Sequence, residues 1–86
     1  MQITDIRIRK VKKADRLKAV ASVTIDDAFV VHDIKVIQGQ DRLFIAMPSR
    51  KSRYGGFMDV AHPINTSTRE MLHGAILDKY QEFADT

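Results

Sequence analysis

The chain has 86 residues, a formal net charge of +3 and no cysteine. That length gives one thin-cored domain, 1–86, and leaves no room for a second. Disulfides and a cysteine-based metal site are excluded as sources of stability, so self-association is the remaining common aid. The chain opens Met1-Gln2-Ile3-Thr4 and has no apolar run of signal-peptide or membrane-span length, so a cytoplasmic protein with no membrane partner is expected.

The charge is uneven. Residues 1–18 hold seven Lys/Arg against two Asp, and residues 42–58 hold four Lys/Arg and no acid. The segments 19–41 and 59–86 are net acidic. Two basic zones on an acidic background suit a surface that faces a polyanion. Ordinary solvated charge would look similar at this level.

In chain order, Ile6 and Ile8 alternate with Arg7 and Arg9, a period of two with one basic face. Lys12-Lys13-Ala14-Asp15-Arg16 is a polar break. From Leu17 to Ile25 every odd position is apolar, and Asp26-Asp27 is a turn, so the first three strands are expected to form a meander. In Phe29–Ile37 the alternation puts Val30, His32, Ile34 and Val36 on one face. It puts Phe29, Val31, Asp33 and Lys35 on the other. Apolar residues on both faces ask for cover on both. A turn at Gln38-Gly39-Gln40-Asp41 leads to a short strand Leu43–Met47 that Pro48 ends. Ser49–Gly56 reads as a loop, and Phe57–Ala61 as a fifth strand stopped by His62-Pro63.

One helix is expected, over about residues 67–83. Ser67-x-x-Glu70 fits a capping box, with Asn65 and Thr66 as competing caps. Leu72, Ile76, Tyr80 and Phe83 fall at helical spacing with Ala75 beside them, an apolar stripe for one sheet face. The fold class is therefore α+β: an antiparallel sheet of about five strands followed by a C-terminal helix. Two-fold pairing with a second copy is expected to cover the remaining apolar surface.

No Gly-rich phosphate loop, nucleophile elbow or paired metal ligands occur. His32-Asp33 on a regular strand points to opposite faces, which argues against a catalytic dyad. His62 suits a hydrogen-bonding role at a strand end, His73 a solvated one, and Asp26-Asp27 a turn. No enzyme activity, cofactor, metal or small-molecule substrate is expected.

Two places carry a nucleic-acid signal. In Pro48–Gly56, Arg50, Lys51 and Arg53 can neutralise phosphates, Tyr54 can stack on a base or sugar, and the glycines allow close approach. A solvated hairpin tip is the bland reading of that segment. The second place is Thr66, Ser67, Thr68 and Arg69, where a helix start offers amides, hydroxyls and a guanidinium to an anion. Simple capping explains part of it.

The segments Phe29-Val30-Val31-His32-Asp33-Ile34, Leu43–Ser49 and Asp59–Asn65 with Thr68-Arg69, together with the opening Thr4–Arg9, resemble the SpoVG septation-regulator family of bacteria. The resemblance spans essentially the whole chain. It implies a small dimer with a strongly bent antiparallel sheet and a C-terminal helical segment. It also implies a cytoplasmic regulator that binds DNA, and in some members RNA, and affects septation, sporulation or gene expression. Family DNA contacts would map to the neighbourhood of Thr68 and Arg69. Members commonly continue into a variable, often acidic tail, and this sequence ends at Thr86. A protein-interaction module of the division or sporulation machinery, without direct nucleic-acid binding, is the competing reading.

Overall fold

A computed structural model describes residues 1–11 and 16–84. Lys12–Asp15 of the polar break expected between the first two strands lie outside the described residues. Six strands precede one helix: β1 (Ile3–Lys10), β2 (Leu17–Ile25), β3 (Phe29–Gln38), β4 (Leu43–Ala46), β5 (Ser49–Lys51), β6 (Phe57–Asp59) and α1 (Thr66–Ala84). The first four form an antiparallel sheet in sequence order, so the expected meander is present and extends to β4.

The expected five-strand sheet divides in two. Residues 49–51, expected in a loop, pair with Phe57–Asp59 as a separate two-stranded hairpin, and Val60 and Ala61 fall outside any strand. Alternation in so short and charged a segment carries no burial signal. All six residues of the two strands are exposed, so only backbone pairing defines them. β4 also ends one residue earlier than expected, at Ala46.

The β2–β3 turn follows from its two aspartates. Asp26 and Asp27 both adopt positive φ, 53° and 52°, a conformation that Asp tolerates better than most residues. The Ala28 amide donates to the Ile25 carbonyl, 3.0 Å. The N-terminus is tied to the same turn: the Gln2 amide donates to Asp26 Oδ1, 2.8 Å, and the Asp27 amide to Thr4 Oγ1, 2.9 Å.

The faces of β3 differ from simple alternation. Opposite Ser22 the register shifts, because Ala21 pairs Ile34 while Val23 pairs Val31. Asp33 sits at φ 63°, so His32-Asp33 form a β-bulge. The extra residue reverses the alternation. Val31 joins Ile34 and Val36 on the helix side, while Val30 and His32 turn to the outer face. The expected grouping of Val30 and His32 with Ile34 and Val36 is thereby overturned.

The core lies between the inner sheet face and α1. Ala19, Ala21 and Val23 from β2, Ile34 and Val36 from β3, and Leu72 and Ile76 from α1 are buried. The helix backbone runs nearest to β1 and β4, and Ile6, Ile8, Ile45, Leu77 and Tyr80 close the margins of the core. Leu72, Ile76 and Tyr80 thus act as the helical spacing requires. Lys10 lays its ammonium 5.1 Å from the Phe83 ring, a cation–π contact at the helix's far end.

Helix capping falls to Asn65 rather than to the Ser67–Glu70 box. Asn65 Oδ1 accepts from the Thr68 amide at 2.8 Å and from the Ser67 hydroxyl at 3.0 Å, and the helix begins at Thr66. Asn65→Ala is therefore expected to lower stability by about 1 kcal/mol, read as a shift in the urea midpoint. Glu70→Ala should leave that midpoint nearly unchanged. Equal losses from the two substitutions would restore the capping box.

Candidate nucleic-acid interface

The hairpin β5–β6 places the expected loop cations. Arg50 pairs Met58 and Lys51 pairs Phe57, so successive side chains leave the hairpin on opposite faces. Arg53 and Tyr54 sit in the tip, which the Gly55-amide-to-Ser52-carbonyl bond, 3.2 Å, and the Ser52-amide-to-Gly56-carbonyl bond, 2.9 Å, close. Gly55 and Gly56 adopt φ of 94° and 74°, a region that side chains strain to occupy, so the tight tip depends on both. The Ser52 hydroxyl accepts from the Tyr54 amide at 3.2 Å.

Tyr54 is 90% exposed, and its ring is available for stacking. Arg50, Lys51, Ser52, Arg53, Tyr54 and Met58 line one open groove of about 530 Å³. Among the described residues the one ion pair is Arg7 with Asp5, so Arg50, Lys51 and Arg53 meet no carboxylate at ion-pair distance. Three unneutralised cations on one exposed hairpin suit phosphate contact.

The helix start lies beside the hairpin rather than apart from it. Arg69 lines a cleft of about 390 Å³ with Ser49, Phe57, Asp59 and His62. Its Nη2 lies 3.5 Å from the Pro63 carbonyl, a long and weak contact. His62 Nδ1 lies 3.0 Å from the same carbonyl, in keeping with the hydrogen-bonding role expected at that position. Ser67 spends its hydroxyl on Asn65, and the Thr68 amide is already capped. Of the four expected helix-start residues, Arg69 is thus the one whose charged end the structure brings to the hairpin, while Thr66 and Ser67 remain exposed at the first turn.

Sequence reasoning missed the exposed apolar residues in and after β6. Phe57 is 77%, Met58 57% and Val60 65% exposed, and Ile64 follows at 87%. The available signal was the absence of alternation in Phe57-Met58: adjacent large apolar residues on an isolated strand cannot both face one core.

The SpoVG family model matches residues 1–82. A protein of Agathobacter rectalis called "Putative septation protein SpoVG" is 65% identical over 81 residues, covering 94% of this chain and 93% of its own. Proteins of the same description from Clostridium novyi and Clostridium acetobutylicum are 63% and 62% identical, covering 94% and 95% of this chain and 81% and 86% of theirs.

Proposed function

The chain belongs to the SpoVG family, and on that premise we propose that it is a homodimeric regulator that binds nucleic acid and acts in septation, sporulation or gene expression. The observation that carries the reading is the exposed hairpin bearing Arg50, Lys51 and Arg53 without acidic partners, with Tyr54 at its tip. Arg69 stands beside it at the helix start. The role is binding, not catalysis. Cofactors and small-molecule substrates have no part in it, and no described helix is long and apolar enough to cross a membrane.

The test is a salt titration. Fluorescence anisotropy with a labelled random duplex should show log K falling linearly with log salt, with a slope of about −0.9 for each phosphate neutralised. Absence of binding at low salt would overturn the reading. It would favour the interaction-module alternative, which the exposed Phe57, Met58, Val60 and Ile64 support.

Dimerisation rests on the same apolar residues and on β3. Phe29 and Val30 are exposed at the start of β3, where β4 no longer pairs with it. An open strand edge beside apolar side chains is the usual template for a second copy. Light scattering should therefore give about twice the 9.8 kDa chain mass, and Phe57→Asp with Val60→Asp should return the chain to monomer. A wild-type chain that scatters as a folded monomer would sink the dimer.

A further inference from the structure

The sheet face turned away from α1 holds one histidine among cations. The β-bulge turns His32 onto this face, where its Nδ1 lies 2.9 Å from Ser22 Oγ. Strand pairing sets Arg7 beside Ser22, Arg9 beside Val20, and Val20 beside Lys35. His32 and Arg9 also line an open groove of about 680 Å³ with Phe29, Val30 and Val60, the apolar residues that the dimer reading gives to a second copy. β4 pairs with β3 only from Lys35 onward, which leaves Phe29 to Ile34 without a β4 partner.

A second copy that closes on Phe29 and Val30 also draws His32 out of water, because one groove holds all three. A two-fold puts the same patch on both sides of the contact, so like charges oppose each other. Arg9 and Lys35 carry their charges on long stems and can keep them in water at the rim while the stems pack. His32 has no such reach, and Ser22 keeps its ring in place. That bond does not depend on the ring's charge, because a hydroxyl can donate to a neutral Nδ1 or accept from a protonated one. The charged groups facing the ring are Arg7 and Arg9 from β1 and Asp33 and Lys35 from β3, with Asp5 paired to Arg7 at 3.1 Å. β2 brings Val20 and Ser22, and the start and end of the hairpin bring Pro48, Ser49, Val60 and Ala61, none of them titratable near neutral pH. Three cations thus outweigh two carboxylates around the imidazole.

Near neutral pH histidine is the side chain that changes charge, while carboxylates, guanidiniums and ammoniums keep theirs. A proton on each copy's His32 would add two positive charges to a contact that already opposes like with like. An imidazole drawn out of water among cations accepts a proton less readily than one left in water. Proton uptake then favours the separated copies, so the dimer holds above the histidine range and loosens as pH falls through it. We propose that His32 is a pH switch for self-association: the neutral ring lets a second copy close over the start of β3, and the protonated ring opposes it. The inference rests on the dimer reading above and gives that contact a regulator.

Sedimentation equilibrium of the full chain at fixed ionic strength reads the dimer Kd at about pH 7.5 and about pH 5.5, on either side of the histidine range. A like-charge contact at a wet surface is worth about fivefold in an equilibrium constant. Two histidines should therefore raise Kd about twenty-five-fold at the lower pH. His32→Asn keeps a polar group beside Ser22 but takes up no proton, and its Kd should agree within about twofold at the two pH values. His62→Gln with His73→Gln should keep the wild-type response, because neither residue lines the groove. His32 is exposed, so its replacement leaves the core untouched, and circular dichroism checks the fold at both pH values. A wild-type dimer with the same Kd at both would overturn the switch and leave the dimer standing. A response that survives His32→Asn, or that vanishes with the His62 and His73 pair, would also overturn it. So would a His32→Asn chain that is a folded monomer even at the higher pH, since the neutral ring would then be a contact the dimer requires. A wild-type chain that is a folded monomer at the higher pH would remove the dimer itself, and this inference with it.

Discussion

Ile76→Ala should cost about 2–5 kcal/mol, because Ile76 and Ile34 are the largest fully buried side chains among the described residues. Ile76 is fully buried in a core cluster whose β2 members are Ala19, Ala21 and Val23. Those alanines have no side-chain freedom with which to fill the space, so the cavity stays open and the full penalty applies. A domain of this length has about 4–13 kcal/mol in total, at about 0.05–0.15 kcal/mol per residue. The substitution thus removes a large share of the whole. Urea denaturation at fixed protein concentration is the measurement, because the proposed dimer would make the midpoint concentration-dependent. A midpoint that matches wild type would mean that the helix does not pack where the structure places it. Ile64→Ala is the control: the side chain is 87% exposed, and its removal should leave the midpoint unchanged.

Replacing Arg50, Lys51 and Arg53 together with alanine should flatten the duplex salt slope by about 2.7 for each hairpin that touches DNA, at about 0.9 for each phosphate no longer neutralised. The weakening should be the same for every sequence, because phosphates carry no base information. Arg50 and Lys51 leave opposite faces of the hairpin, so one duplex cannot flatten against all three without the tip turning edge-on into a groove. A slope flattened by the equivalent of only one or two phosphates would report which hairpin face meets the backbone. An unchanged slope would move the duplex site off the hairpin altogether. Arg69→Ala should behave differently. Its guanidinium lies in the cleft beside the hairpin, and an arginine placed there can pair with a guanine edge. A fall in preference for the true target by about 1–3 kcal/mol, with little weakening on random duplex, is the expected pattern. Equal weakening on both would make Arg69 one more phosphate-binding cation.

Much of this architecture was legible in the residues. Odd-position apolar side chains from Leu17 to Ile25 determined β2 and its buried face, because a strand repeats every two residues. Leu72, Ile76 and Tyr80 determined the helix and its packing face by their 3.6-residue period. The order of short motifs from Thr4 to Arg69 was sufficient for the family, and the match over residues 1–82 agrees with it.

Tertiary structure alone decided the rest. The bulge at His32-Asp33 reverses which residues of β3 face the helix, and no local pattern announces it, since an inserted residue changes register only relative to a partner strand. Val30 and His32 reach the outer face for that reason. The hairpin of Ser49–Lys51 with Phe57–Asp59 was hidden because fully exposed strands carry no hydrophobic period, and backbone hydrogen bonds leave no trace in side-chain chemistry. Asn65 prevailed over Ser67 as the cap because the chain's approach from Pro63 brings that side-chain oxygen to the Thr68 amide, a matter of backbone path rather than of residue type.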